Sequence, residues 1–135
     1  MEILNSLPPF YDKILKAGMT PTKTVVYCYQ NTLYNPSSAE IRPDILANEE
    51  THTRQQGDKP DAWWDSYLED SMFRMNQESE AYGNQYRFIC KLVKDREHRN
   101  KILFELAAHL SGPIYGNALT LPQAYQLIKK LANVK

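Results

Sequence analysis

The sequence predicts a mainly helical α+β domain with a short strand or hairpin near its N-terminus. Three observations carry this. From Pro43 to the end, stretches with helix start and stop signals follow one another. Before them lies a single run rich in β-branched and aromatic residues, "TKTVVYCYQ", residues 22–30. The 135 residues suit one domain, 1–135, large enough to bury a core without disulfide staples.

Each element has a local reason. "PPFYDKILKAG" reads as a short helix with prolines near its start and Gly18 at its exit. The strand over 22–30 leads into "NTLYNPSS", where Leu33 and Tyr34 suit a second short strand and Asn31 the turn. A helix runs from Pro43, an N1-type proline, to Gly57, a C′-type glycine. A helix restarts after Pro60. It either ends before a new one at Ser71 or continues as one bent helix toward Val93. Met72, Met75, Tyr82, Tyr86 and Ile89 make an apolar stripe there, interrupted by Ser79. Another helix spans the stretch from Asp95 to Gly112, and "PIYGNALT" is a loop. The last helix starts at Thr120, a predicted N-cap, with Pro122 in its first turn. The expected core includes Val26, Ile45, Leu46, Phe73, Ala81, Ile89, Leu103 and Leu106.

Composition narrows the function classes. Lys plus Arg equals Asp plus Glu, so the formal net charge is zero and no global field favours nucleic acid or an anionic membrane. The densest basic stretch, "KLVKDREHRNK", reads as a solvated helix face that includes His98. No stretch approaches the ~20 apolar residues of a membrane span, and the N-terminus lacks a signal-peptide pattern, so a cytoplasmic protein is expected. Cys28 and Cys90 read as small core residues in a reducing compartment. Of the adjacent Trp63 and Trp64, about 100° apart on a helix, one is expected in the core and one at a groove or surface. His109 suits the negative end of a helix better than a metal.

The chemistry-bearing stretch is "ILANEETHTRQQ", residues 45–56. A helix turns once per 3.6 residues, so HExxH aims two imidazoles from one face at one metal, with the glutamate beside the bound water. Glu49 and His52 occupy the second and fifth positions of such a motif, but Asn48 stands at the first. An amide oxygen is a poor substitute for imidazole at zinc. Four residues of E-x-x-H also fit an ordinary polar helix face. Gln55 and Gln56 are placed to brace this helix, and "SGPIYGN" is either a cleft rim or a plain loop.

The pieces "VVYCYQNTLYNP", "ILANEETHTRQQ", "AWWDSYLED" and "FRMNQESEAY" together give the chain a wider likeness over roughly residues 24–87. It resembles the HExxH zincin-like, gluzincin-type metallopeptidases of phages and bacteria. The resemblance implies a minimal zincin-like domain in which the 43–57 and 71–93 helices face each other. It implies a zinc site with His52 and a glutamate of "ESEAY" as ligands, Glu78 or alternatively Glu80, and Glu49 as the catalytic base. Asn48 is then the degenerate ligand position, which weakens or removes zinc binding. Natural loss of the ligand, replacement in an otherwise active enzyme, and weak binding of a harder metal all accommodate it. The implied partner is a peptide or protein substrate if active, or protein partners and virion assembly if the scaffold is structural. The implied location is host cytoplasm or virion.

Overall fold

The computed structural model describes residues 1–19 and 25–134. In order, the elements are β1 (Glu2–Leu4), α1 (Tyr11–Lys16), β2 (Tyr27–Tyr29) and β3 (Thr32–Tyr34). They continue as α2 (Pro43–Gln56), α3 (Pro60–Glu69), α4 (Ser71–Leu92), α5 (Arg96–Leu110), a 3-10 turn (Pro113–Tyr115) and α6 (Leu121–Ala132). The expected α+β, mainly helical class is observed.

β2 and β3 pair antiparallel with Cys28 opposite Leu33, and Gln30 in their turn takes a positive φ of 50°. The strand expected over 22–30 is shorter, Tyr27–Tyr29, and its first residues, 22–24, lie outside the described set. β1, which no local pattern announces, adds parallel to β3 with Ile3 opposite Leu33. Three residues are too few to display an alternation, and a parallel partner is far away in sequence.

Helix boundaries follow local chemistry. Pro43 and Pro60 sit in the first turns of α2 and α3. Asp70 is extended, and its carboxylate accepts from the backbone N–H groups of Met72 and Phe73. That cap separates α3 from α4 and decides against one bent helix. Asp95 caps α5, and Thr120 with Gln123 forms a reciprocal capping box on α6.

Two apolar clusters hold the chain. One joins Met75, Tyr86, Leu103, Ala107, Leu110 and Ile128 of α4, α5 and α6. The other joins Ile14, Tyr27, Trp63, Trp64 and Leu68 under the sheet. Of the expected core, Ala81, Ile89 and Leu103 are buried, whereas Val26, Ile45, Leu46, Phe73 and Leu106 are only half-buried. The reason for Ile45 and Leu46 is that α2 docks through a polar face: Asn48, Thr51, His52 and Gln56 are its buried residues. Met72 is 51% exposed and leaves the expected α4 stripe. Ser79 does not interrupt that stripe but is buried, its hydroxyl donating back to the Met75 carbonyl at 2.7 Å. Both tryptophans are buried, correcting the expectation that one lies at a surface. α3 is covered on two sides: the Trp64 indole donates to the Cys28 carbonyl of β2 (2.9 Å), and the Trp63 indole to Gln77 Oε1 of α4 (2.8 Å).

Candidate functional site

α2 and α4 run against each other through a ladder of polar contacts. Residues one or two turns apart share a face, so Asn48 and His52 on α2 meet Gln85 and Glu78 on α4. At one end, Arg42 forks onto Asp44 with two contacts of 3.1 Å. Asp44 also accepts from Gln85 Nε2 at 3.0 Å. That bond orients the Gln85 amide, and its Oε1 accepts from Asn48 Nδ2 at 3.0 Å. In the middle, Asn84 donates to the Thr51 hydroxyl at 2.9 Å. At the other end, His52 Nε2 lies 2.8 Å from Glu78 Oε1.

His52 is held on its other side as well. Gln55 Nε2 donates to the Gln77 carbonyl and to Glu80 Oε1, both at 2.9 Å. Its Oε1 therefore faces His52 Nδ1, 2.8 Å away, as an acceptor, so Nδ1 carries a proton. Trp63 packs against the ring with centroids 5.3 Å apart. Glu78 Oε2 accepts from the Tyr67 hydroxyl at 2.6 Å. Glu78 Oε1 is different. It is buried and close to Nε2, its charge-paired neighbour, and has no other partner among the described residues.

The charges respond to burial. Burial is the largest influence on His52 and opposes its charge. The Glu78 carboxylate, with smaller help from Glu49 and Gln55, outweighs it and lifts the imidazole to about 9. Burial likewise works against the Glu78 carboxylate, but His52 and Tyr67 hold it below the usual range. Glu49 is pushed up to about 7, first by burial and then by the charge of Glu78, with His52 acting in the opposite sense. A carboxyl poised near neutrality is suited to proton transfer.

A wall of tyrosines stands near Glu78. Tyr67, Tyr82 and Tyr115 all have hydroxyls pushed above the usual phenol range, chiefly by burial, and each feels the Glu78 charge. Tyr115, from "SGPIYGN", is buried in the core cluster of α4, α5 and α6. The Tyr82 hydroxyl hydrogen-bonds to Nδ1 of the exposed His109, whose ring also packs edge-on against Tyr115. Sequence reasoning touched Tyr115 only through the alternative of a cleft rim, weighed His109 as a helix-end residue, placed Tyr82 in an apolar stripe and did not single out Tyr67. Their signal was present only as polar-tipped aromatics spread from Tyr67 to Tyr115.

The structure thus joins His52 to Glu78 and places Glu49 in their field. Glu80 sits exposed at the rim, bound by Gln55, so Glu78 is the glutamate that faces His52. Asn48 is not joined to that pair: its amide nitrogen is committed to Gln85, two turns along α4 from Glu78. A catalytic zinc takes three protein ligands. Here Glu78 Oε1 and, once it loses its proton, His52 Nε2 could supply two donors, and the third position holds a neutral amide. Among the described residues, no three His, Cys, Asp or Glu side chains form a metal-holding group. The donor set does not fit a tightly held zinc ion. No helix of the described residues is long and apolar enough to cross a membrane. Compared with family models, curated proteins and solved structures, the chain matches none.

Proposed function

We propose that this chain is a degenerate, zincin-like metallopeptidase scaffold in which an ion pair stands where a metal would be held. The observation that carries the reading is the contact of 2.8 Å between His52 on α2 and Glu78 on α4. These are the fifth residue of the HExxH-like stretch and the glutamate of "ESEAY", 26 positions apart, and they are brought together where α2 packs on α4. The Gln55 contact supports the same reading, because a metal-binding histidine needs its second ring nitrogen held by an acceptor. Glu49 supplies a carboxyl near neutrality beside them. With an amide at position 48 the ligand set is one short, and the protein as it stands lacks peptidase activity.

The test is calorimetric titration of Asn48→His with zinc. The helix spacing already places position 48 one turn from His52. Gln85 Oε1, which now accepts from Asn48, is placed to accept a ring N–H instead. The expected result is one zinc per chain for Asn48→His, with binding lost in Asn48→His/Glu78→Ala. Zinc binding by Asn48→His no tighter than that of the unaltered chain overturns the reading.

A structural or interaction role, such as a virion component, is the second reading, and one feature favours it. β1 is an edge strand carrying Ile3 (48% exposed) and Leu4 (39%), followed by Leu7 (53%). Such an edge offers unpaired backbone groups and apolar side chains to a protein partner. Sedimentation of the chain beside Ile3→Lys tests it: self-association or partner binding through β1 falls in the variant, and unchanged behaviour removes this reading.

A further inference from the structure

A concave site lies apart from the His52–Glu78 pair and shares no residue with it. Where α4, α5 and α6 meet, a cavity of about 540 Å³ is lined by Tyr86, Cys90, Arg96, Arg99, Tyr125 and Lys129. The stretch that contributes Arg96 and Arg99 reads from sequence as a solvated face, and it is largely exposed in the fold, with these two arginines also lining the cavity. Arg96 opens α5 and Arg99 stands on the same first turn, while Lys129 reaches the cavity from α6.

Three cations share this space, and no carboxylate lines it among the described residues. None of the three belongs to an ion pair there; the described pairs are Lys13–Asp65, Arg42–Asp44 and His52–Glu78. Arg99 is fixed rather than free to swing, since one guanidinium nitrogen donates to the carbonyls of Val93 (3.2 Å) and Lys94 (3.4 Å) at the end of α4. Its other nitrogens have no partner among the described residues. Like charges gathered without a counter-ion repel one another, and a bound anion removes that repulsion.

The rest of the lining sets two tyrosines beside Cys90, Asn100 and Val134. Tyr86 is buried and Tyr125 half-buried, and both present flat apolar faces with a polar tip. The volume lies in the range of small-molecule sites and far exceeds what a bare inorganic anion fills. Arginine suits phosphate because its planar fork matches two oxygens at once.

We infer that this cavity binds a small phosphate ester of nucleotide size, its phosphate on Arg96, Arg99 and Lys129 and its flat body against Tyr86 and Tyr125. The site is independent of the His52–Glu78 pair and of any metal there. It also does not need a basic protein overall, because the cations are local while the net charge is zero.

The experiment is an amide NMR titration of the full chain with AMP at constant ionic strength, with inorganic phosphate and adenosine run separately. The expected result is saturable shifts confined to residues 86–100 and 125–134, with a Kd of roughly 1 mM or tighter for AMP and weaker binding of either half. Arg96→Gln/Lys129→Gln, both at accessible positions, is expected to keep the melting temperature and to weaken AMP about tenfold or more. Three results overturn the inference. One is absence of saturation by roughly 10 mM AMP. Another is equal AMP affinity in the double variant. The third is inorganic phosphate binding as tightly as AMP, which reduces the site to an unspecific anion patch.

Discussion

His52 Nε2 and Glu78 Oε1 stand 2.8 Å apart between α2 and α4, with side chains only 7% and 12% exposed. A buried ion pair of this kind is not a large net stabiliser, because both charges leave water to form it. Breaking it is costly, since the remaining charge has no partner. Glu78→Ala is expected to destabilise the fold by ~3–5 kcal/mol, read as a fall in the urea midpoint at constant slope. A midpoint that does not move means that water already reaches His52.

The same cluster sets a pH dependence. His52 is raised to about 9, so its contribution is fully present below its unfolded value near 6.5 and is lost as pH rises through 9. Glu49 is raised to about 7, so its folded form favours the neutral carboxyl, and stability falls as pH rises from about 4.5 to 7. Glu78 is depressed, so its contribution is present above about 4.5 and lost only in more acid solution. The melting temperature is therefore expected to peak near pH 5 and decline toward 9. Glu49→Gln is expected to flatten the lower half of that decline. A melting temperature constant from pH 5 to 9 contradicts the charge assignment.

Leu103 of α5 has no exposed surface and packs in the cluster with Tyr86, Leu110 and Ile128. Leu103→Ala removes three methyl-sized groups from a site walled by three helices. The expected loss is roughly 2–5 kcal/mol, measured by chemical denaturation.

Gly83 is required by a close approach rather than by its dihedrals. A Cβ at this position of α4 stands 2.8 Å from Leu131 Cβ and 3.3 Å from the Ala132 nitrogen of α6. Arg87 of α4 holds the same turn, donating to the carbonyls of Ala132 (2.8 Å) and Leu131 (3.1 Å). Alanine is the better helix former by up to about 1 kcal/mol, yet Gly83→Ala is expected to cost ~1–3 kcal/mol because α6 must shift. A more stable variant means that α6 yields without loss of packing.

Much of the architecture was legible because its signals are local. Pro43 and Pro60 in first turns, Asp70, Asp95 and Thr120 as caps, and Gly57 as a stop each act on the adjacent backbone, and each helix begins or ends where these residues place it. The facing of His52 and Glu78 was foreseen from a resemblance and from helical spacing, which puts His52 on one face and leaves the choice between Glu78 and Glu80 open. What the chain could not reveal by itself was non-local. β1 pairs with a strand 30 residues away, both tryptophans are buried because α3 is covered on two sides, and Asn48 answers to Gln85 rather than to His52. The tyrosine wall and the three-cation cavity have the same origin. Spacing along a helix determines which residues share a face, but only packing against a second helix decides what that face meets. The partner of a polar side chain is set by whichever donor or acceptor the fold leaves beside it when water is excluded.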